Sequence, residues 1–333
     1  GLYGGSFYVA TSNNAGYVDA LWQGLECADG CDPTLGTAIS IGSGSAAAGV
    51  DLILGNAGAI TGRVNDAGSA AISGVTIEIY RDTGTFVDSV STDGNGIFRL
   101  AGLAAGDYHV VTRNDFGYID EGAGGEVCQA TCAPTSTALV PVTINAEATA
   151  DFVLDLGARI SGVVSDSALN PLQSVTVRAF NADGLQIGSS TSGPSGAYTL
   201  TGLAGGNVYL RTSNSLGYRN QRFDGLACDA LCDVLAGTAI PVTPGATATA
   251  NFALALGGSV SGFVTSASTL EPLSGVQVQV FDSVGLLAGF DVTDANGAWS
   301  VTGLEDGDYR ARTVNSAGFV DRVFGGDSCS PEP

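Results

Sequence analysis

The chain repeats itself every 100 residues: Gly62-Arg63-Val64 returns as Gly162-Val163-Val164 and as Gly262-Phe263-Val264. Ala101-Gly102-Leu103 returns as Thr201-Gly202-Leu203 and, one residue late, as Thr302-Gly303-Leu304. A fixed period means an array of one unit, and a unit of this size can bury a core of its own, unlike shorter solenoid repeats. The 333 residues therefore read as a string of domains. Residues 1–57 carry the second half of a unit, 58–157 and 158–257 are complete units, and 258–333 carry the first three quarters of another. Incomplete units at both ends, with neither an initial Met nor a signal peptide, lead us to expect an excerpt of a longer array or a processed product.

Within the unit 158–257 the pattern is that of short strands. Val175, Val177 and Ala179 alternate with Thr176, Arg178 and Phe180, the period of a strand with one buried face. Val75, Ile77, Ile79 and Val276, Val278, Val280 repeat that face. Further strands are expected at Ile160–Ser165, Leu185–Thr191, Ala197–Leu203, Val208–Thr212 and Ala239–Val242. A last one is expected at Ala248–Leu256, with Phe252, Leu254 and Leu256 on one face. About seven strands, Gly-rich turns and no helical period predict an all-β fold, a tandem array of antiparallel, immunoglobulin-like or prealbumin-like β-sandwich domains. Leu156–Ile160 passes from one unit to the next almost without a linker, so the array is expected to be stiff.

Composition removes several function classes. All twelve basic residues are Arg, and against 33 acidic residues they leave a net charge of −21. Such a charge repels phosphate backbones and anionic membranes, so nucleic-acid binding is excluded. No stretch reaches the ~18 apolar residues of a membrane span, and no membrane insertion is expected.

Six of the seven Cys form C-x3-C pairs at one place in successive units: Cys27/Cys31, Cys128/Cys132 and Cys228/Cys232. Cys329 stands alone. Structural zinc needs four ligands and each unit offers two thiols without a nearby His, while the spacing differs from the redox C-x-x-C. Local disulfides are the reading, and they imply an oxidising, extracellular compartment.

Gly162-x-Val164, Pro171-Leu172, Val175-x-Val177, Gly184, Gly196-x-Tyr198-x-Leu200 and Gly202-Leu203-x-x-Gly206 together resemble the carboxypeptidase regulatory-like domain. That family is similar to the transthyretin-like, prealbumin-type and Cna-B-type sandwiches. The resemblance implies stacked modules of bacterial secreted or surface proteins, acting as stalks, spacers or adhesin repeats, and it implies no peptidase. Cna-B-type modules can carry Lys–Asn cross-links, which a chain without Lys does not form.

Few residues invite chemistry. His109 is the only histidine, its counterparts are Tyr8, Tyr209 and Arg310, and no nucleophile motif accompanies it. It is expected to be a surface strand residue, and the chain is expected not to be an enzyme. Thr92-Asp93-Gly94-Asn95-Gly96 and Thr293-Asp294-Ala295-Asn296-Gly297 read as hairpin turns rather than cation loops, since 158–257 has Ser192-Gly193-Pro194-Ser195-Gly196 there.

The period does keep one loop. Asn13, Asn114, Asn214 and Asn315 recur two residues after Thr11, Thr112, Thr212 and Thr313. Gly16-Tyr17-x-Asp19 follows, then Gly117-Tyr118-x-Asp120, Gly217-Tyr218-x-Asn220 and Gly318-Phe319-x-Asp321. Three readings stay open: a loop organised by Asn-to-backbone hydrogen bonds with its ring capping the core, a contact with a neighbouring unit or another copy, or a cation site for Ca2+ built from Asn and Asp oxygens. No other cofactor is expected. The function expected is that of a non-catalytic extracellular structural protein at the cell surface, a stalk or the body of a filament. Its partners would be its own copies or neighbouring repeats. An adhesin binding a glycan or protein, or an accessory segment of a secreted hydrolase, are the alternatives.

Overall fold

The computed structural model describes residues 2–13, 15–27, 32–128, 132–228 and 232–325. Cys31 and Cys329 lie outside them. The chain divides into two compact units: Gly1–Gly157 with Thr201–Ala204, and Ala158–Leu200 with Gly205–Pro333.

The first unit contains the repeat 58–157 as two facing sheets. One is built on Thr76–Arg81, which runs between Phe86–Ser91 and Gly106–Arg113, both antiparallel to it. Gly106–Arg113 also pairs with Leu139–Val142 and with a small hairpin, Glu121–Gly122 and Glu126–Val127. The other sheet is built on Gly58–Asp66, with Ile97–Leu103 antiparallel on one side. On the other side lie Glu147–Thr149 and Phe152–Leu154, both parallel to it. Every second side chain of these strands faces inward, and Ile60, Val64, Ile77, Ile79, Phe98, Val110, Phe152 and Leu154 close one apolar core.

The parallel pair departs from the all-antiparallel expectation and has a topological reason. First and last strands that run the same way bring the chain in at one end of the sandwich and out at the other. A tandem array needs that polarity; antiparallel closure would return the chain to its entrance.

The second unit repeats this arrangement within 158–200 and 205–257. Ala158–Asp166 pairs in parallel with Thr247–Thr249 and Phe252–Leu254, and Thr176–Phe180 lies between Gln186–Thr191 and Gly206–Ser213. After it, Gly258–Phe263 pairs with Ala298–Leu304, and Gln277–Phe281 lies between Leu287–Val292 and Arg310–Val314.

The closing strand is broken where the sequence reads as continuous. At the break the Asp151 carboxylate accepts the Arg63 N–H at 2.9 Å, and Asn251 Oδ1 accepts that of Val163 at 2.9 Å. These side chains stand in for the missing ladder carbonyl. The carbonyls of Ala150 and Ala250 meanwhile turn onto Gly62 and Gly162, where a Cβ would collide with them. The Gly of the Gly-x-Val signature is therefore there to admit a neighbouring backbone. Past the break the strand ends early: Phe252 and Leu254 are buried as expected, but Leu256 is 71% exposed and bridges Tyr218 instead.

The acidic segments are hairpin turns. Asp93 Oδ1 accepts the N–H groups of Asn95 at 2.8 Å and Ile97 at 2.9 Å, which holds its carboxyl below the usual carboxylate range. Asp294 does the same with Asn296 and Ala298. A buried hydroxyl precedes each turn and clamps the segment that leads into an earlier strand of the facing sheet. Thr92, Ser192 and Thr293 donate to Ile72, Leu172 and Leu273 carbonyls and accept from Val75, Val175 and Val276 N–H. Among the described residues no helix is long and apolar enough to cross a membrane.

His109 corrects the expectation of a surface residue. It is 4% exposed, because the segment after the Cys pair folds over this strand, and its Nδ1 lies 3.0 Å from the Thr137 carbonyl.

Candidate functional site

The repeated loop is organised the same way four times. Asn13 donates its side-chain amide to Asp19 Oδ1 at 2.8 Å, Asn114 to Asp120 at 2.6 Å, Asn214 to Asn220 at 2.8 Å and Asn315 to Asp321 at 2.7 Å. The same amides donate to the carbonyls of Tyr17, Tyr118, Tyr218 and Phe319. Each Asn Oδ1 accepts backbone N–H groups two and four residues on, as Asn114 does from Phe116 at 3.0 Å and Tyr118 at 3.2 Å. The Thr two residues earlier accepts a backbone N–H across the loop, from Ala20, Glu121, Gln221 or Arg322. These side chains replace a regular ladder with local bonds, which is why Thr and Asn are needed at fixed spacing.

The Cys pair hangs from this loop. Cys27 N–H donates to the Asp19 carbonyl, Cys128 to Asp120 and Cys228 to Asn220, at 2.6, 2.7 and 2.9 Å. Cys128–Cys132 and Cys228–Cys232 are disulfides, with Cα atoms 4.6 and 5.1 Å apart, and Cys27 is disulfide-bonded too. Each staple leads into a single 3-10 turn at Pro134–Ser136 or Val234–Ala236.

The electrostatics of the four loops differ. Burial pushes the Asp120 carboxyl up to about 6, against the opposing pull of the Asn114 amide and the Arg113 charge. Its counterpart Asn220 is an uncharged isostere that keeps the same hydrogen bond. Among the described residues no group of three His, Cys, Asp or Glu side chains converges as a metal site.

The loop also grips the chain where it leaves the repeat. Three backbone N–H groups of the exit segments close this contact: Ala57 donates to Gly16, Gly157 to Gly117 and Gly257 to Gly217, at 3.1, 2.9 and 2.9 Å. Returning bonds run from Val18 to Gly55, Ile119 to Asp155 and Arg219 to Ala255, each 2.9 Å. The ring residue's carbonyl then faces a glycine of the Gly-Leu signature. A Cβ on Gly102 would stand 3.4 Å from the Tyr17 oxygen, on Gly202 3.0 Å from Tyr118, and on Gly303 2.7 Å from Tyr218.

The variable position between the ring and the Asx residue completes the contact, a role its variability in the sequence conceals. Val18 packs against Ala57 and Ala104. At the corresponding positions of the second unit Arg219 forms an ion pair with Glu305. Apolar meets apolar in one copy and cation meets anion in the other, so the two positions change together.

Two clefts flank these contacts. One of about 800 Å3 is lined by Thr11, Asn13, Asp19, Asp88, Arg99 and Gly102. The other, of about 630 Å3, has Thr212, Asn214, Asn220, Gly289, Ser300 and Gly303 at the corresponding places.

The chain is 24% identical over 268 residues to serine-aspartate repeat-containing protein F of Staphylococcus epidermidis, covering 74% of this chain and 15% of that relative's length. Among solved structures it is similar to the Bacillus anthracis TIE protein, at 15% identity and TM-score 0.26, over 81% of this chain and 48% of that one. A minor pilin of Streptococcus agalactiae is similar at 13% identity and TM-score 0.30, over 60% of this chain and 95% of the pilin. The model of the carboxypeptidase regulatory-like domain matches residues 59–118 and 159–255. These two segments hold the signature glycines Gly62 and Gly162, each placed against the closing strand of its sandwich, so this part of the chain is similar to the carboxypeptidase regulatory-like domain.

Proposed function

We propose that this chain is a non-catalytic extracellular structural element, a surface stalk or the body of a filament, in which the repeated Asn–Tyr loop is the joint of each repeat. The observation that carries this reading is the use to which the periodic residues are put. The Asn amide holds the ring carbonyl and the Asx side chain within the loop, the glycine before the ring accepts an N–H of the repeat's own exit segment, and the ring carbonyl lies against the glycine of the next Gly-Leu hairpin. None of them is aimed at a common reacting atom. The disulfides support an oxidising, extracellular location, and the absence of Lys leaves them as the covalent fastening of the loop. Copies of the chain or neighbouring repeats are the partners this reading implies.

Electron microscopy of the purified protein tests it. Ordered polymers support the filament and dispersed elongated particles the stalk. A specific hit on a glycan array would replace the structural reading with the adhesin.

A further inference from the structure

The third repeat contains a row of like charges that the other repeats lack. Arg178 stands directly opposite Arg211 on the neighbouring strand, and Arg211 directly opposite Arg222 on the next. Like charges placed in this way destabilise a sheet unless something neutralises them. Three of the chain's twelve basic residues meet here, in a protein of net charge −21. Even so, no carboxylate among the described residues pairs with any of the three.

The same sheet position elsewhere shows what is missing. In the second repeat it holds Glu78 opposite Val111, and Glu78 Oε2 accepts Arg113 Nε–H at 3.0 Å. In the last repeat Gln279 is opposite Arg312 and accepts its Nε–H at 2.9 Å. In the third repeat Arg178 replaces that acceptor with a second cation. Arg211 Nε is consequently buried without a partner, and so is Arg222 Nε. Arg222 spends its two terminal nitrogens on the carbonyls of Asp233 and Ala227, both at 3.1 Å. The Arg211 guanidinium lies over the Phe180 ring, 5.5 Å from its centre, which fixes its plane.

Arg178 and Arg211 both line the 630 Å3 cleft. The carboxylate lining it, Asp291, is committed to its own hairpin, accepting the N–H groups of Val292 and Ser300 at 2.8 Å each. Thr212, Ser213 and Asn214 add polar groups to the same wall. Burial, and then the charge of Arg178, depress the proton affinity of Arg211, the mark of two cations held together without a counter-ion.

We propose that Arg178 and Arg211 form a binding site for a small oxyanion group, a carboxylate, sulfate or phosphate, seated in this cleft. Planar guanidinium forks match such oxygens with paired N–H bonds. The overall negative charge turns away long polyanions and favours a single compact group reached at close range.

The site is tested by following the Arg Nε–H resonances of the full chain during titration with sodium sulfate, phosphate or acetate, against sodium chloride at matched ionic strength. The Arg211 signal is expected to move saturably with at least one oxyanion and not with chloride. Saturation with acetate alone identifies a carboxylate site, and saturation with sulfate or phosphate a tetrahedral one. Arg178→Gln restores the acceptor found in the last repeat, so it should fold, release the strain between like charges and abolish the saturable shift. The same variant should lose the rise in melting midpoint, roughly 3 °C, that a bound anion confers. A drift without saturation in the parent protein, or a saturable shift that survives in Arg178→Gln, would overturn the site.

Discussion

Asn114 donates its side-chain amide to the Asp120 carboxylate at 2.6 Å, the shortest of four copies of one hydrogen bond. Because Asn220 makes the same bond without a charge, the loop requires the acceptor and not the anion.

This has a pH consequence. Burial raises the Asp120 carboxyl to about 6, against about 3.9 in an unfolded chain. Between those values the folded protein holds a proton that the unfolded chain has released. The stabilisation is therefore complete below about pH 4 and lost as the pH rises through 6. Asp120→Asn should leave stability near pH 4 unchanged and raise it at pH 7 by about 1–2 kcal/mol, after allowance for partial exposure. Urea denaturation of both proteins at the two pH values checks this; an equal difference at both would refute it.

Gly303 has φ +75° and sits where a Cβ would come within 2.7 Å of the Tyr218 oxygen. Gly303→Ala combines backbone strain with that collision and should cost about 2–3 kcal/mol. Gly102→Ala carries the same strain but meets the Tyr17 oxygen only at 3.4 Å, and should cost about 1 kcal/mol. Thermal denaturation of the two variants should preserve that order.

Arg219 and Glu305 are an ion pair in which both side chains are about one third exposed. Either single Ala substitution should cost about 0.5–1 kcal/mol. Exchanging the two charges should restore most of the loss made by Arg219→Glu alone. A double-mutant cycle measures the coupling, and a value near zero would remove this pair from the joint.

The Cys228–Cys232 staple closes a very short loop, for which chain entropy allows about 2 kcal/mol. Reduction, or Cys228→Ser with Cys232→Ser, should lower stability by that amount or less while leaving the sandwich folded. Mass spectrometry of the unreduced protein should find no free thiol at either position.

The repeating part of this molecule is readable from residue types because local chemistry fixes it. Alternation at Val175, Val177 and Ala179 marks an inner face, and all three are buried; Thr plus Asn at constant spacing marks a loop held by its own side chains. What is not readable depends on partners distant in sequence. The closing strand breaks because Asp151 reaches Arg63, 88 residues away. His109 is buried because Thr137 is folded over it. The position occupied by Val18 and Arg219 looks free to vary in the sequence, since each is complementary to a residue some 86 positions on.

The central claim is that the Asn–Tyr loop is a joint. Hydrogen exchange at the Gly257 amide, bonded to the Gly217 carbonyl at 2.9 Å, tests it most directly in the intact chain. The account predicts exchange at least ~100-fold slower than an unprotected amide. It also predicts that Asn214→Ala, by removing the loop's hydrogen bonds, speeds exchange roughly 10-fold at Gly257 while leaving the core strand amide of Val177 unchanged. Unprotected exchange at Gly257, or protection indifferent to Asn214→Ala, would contradict it.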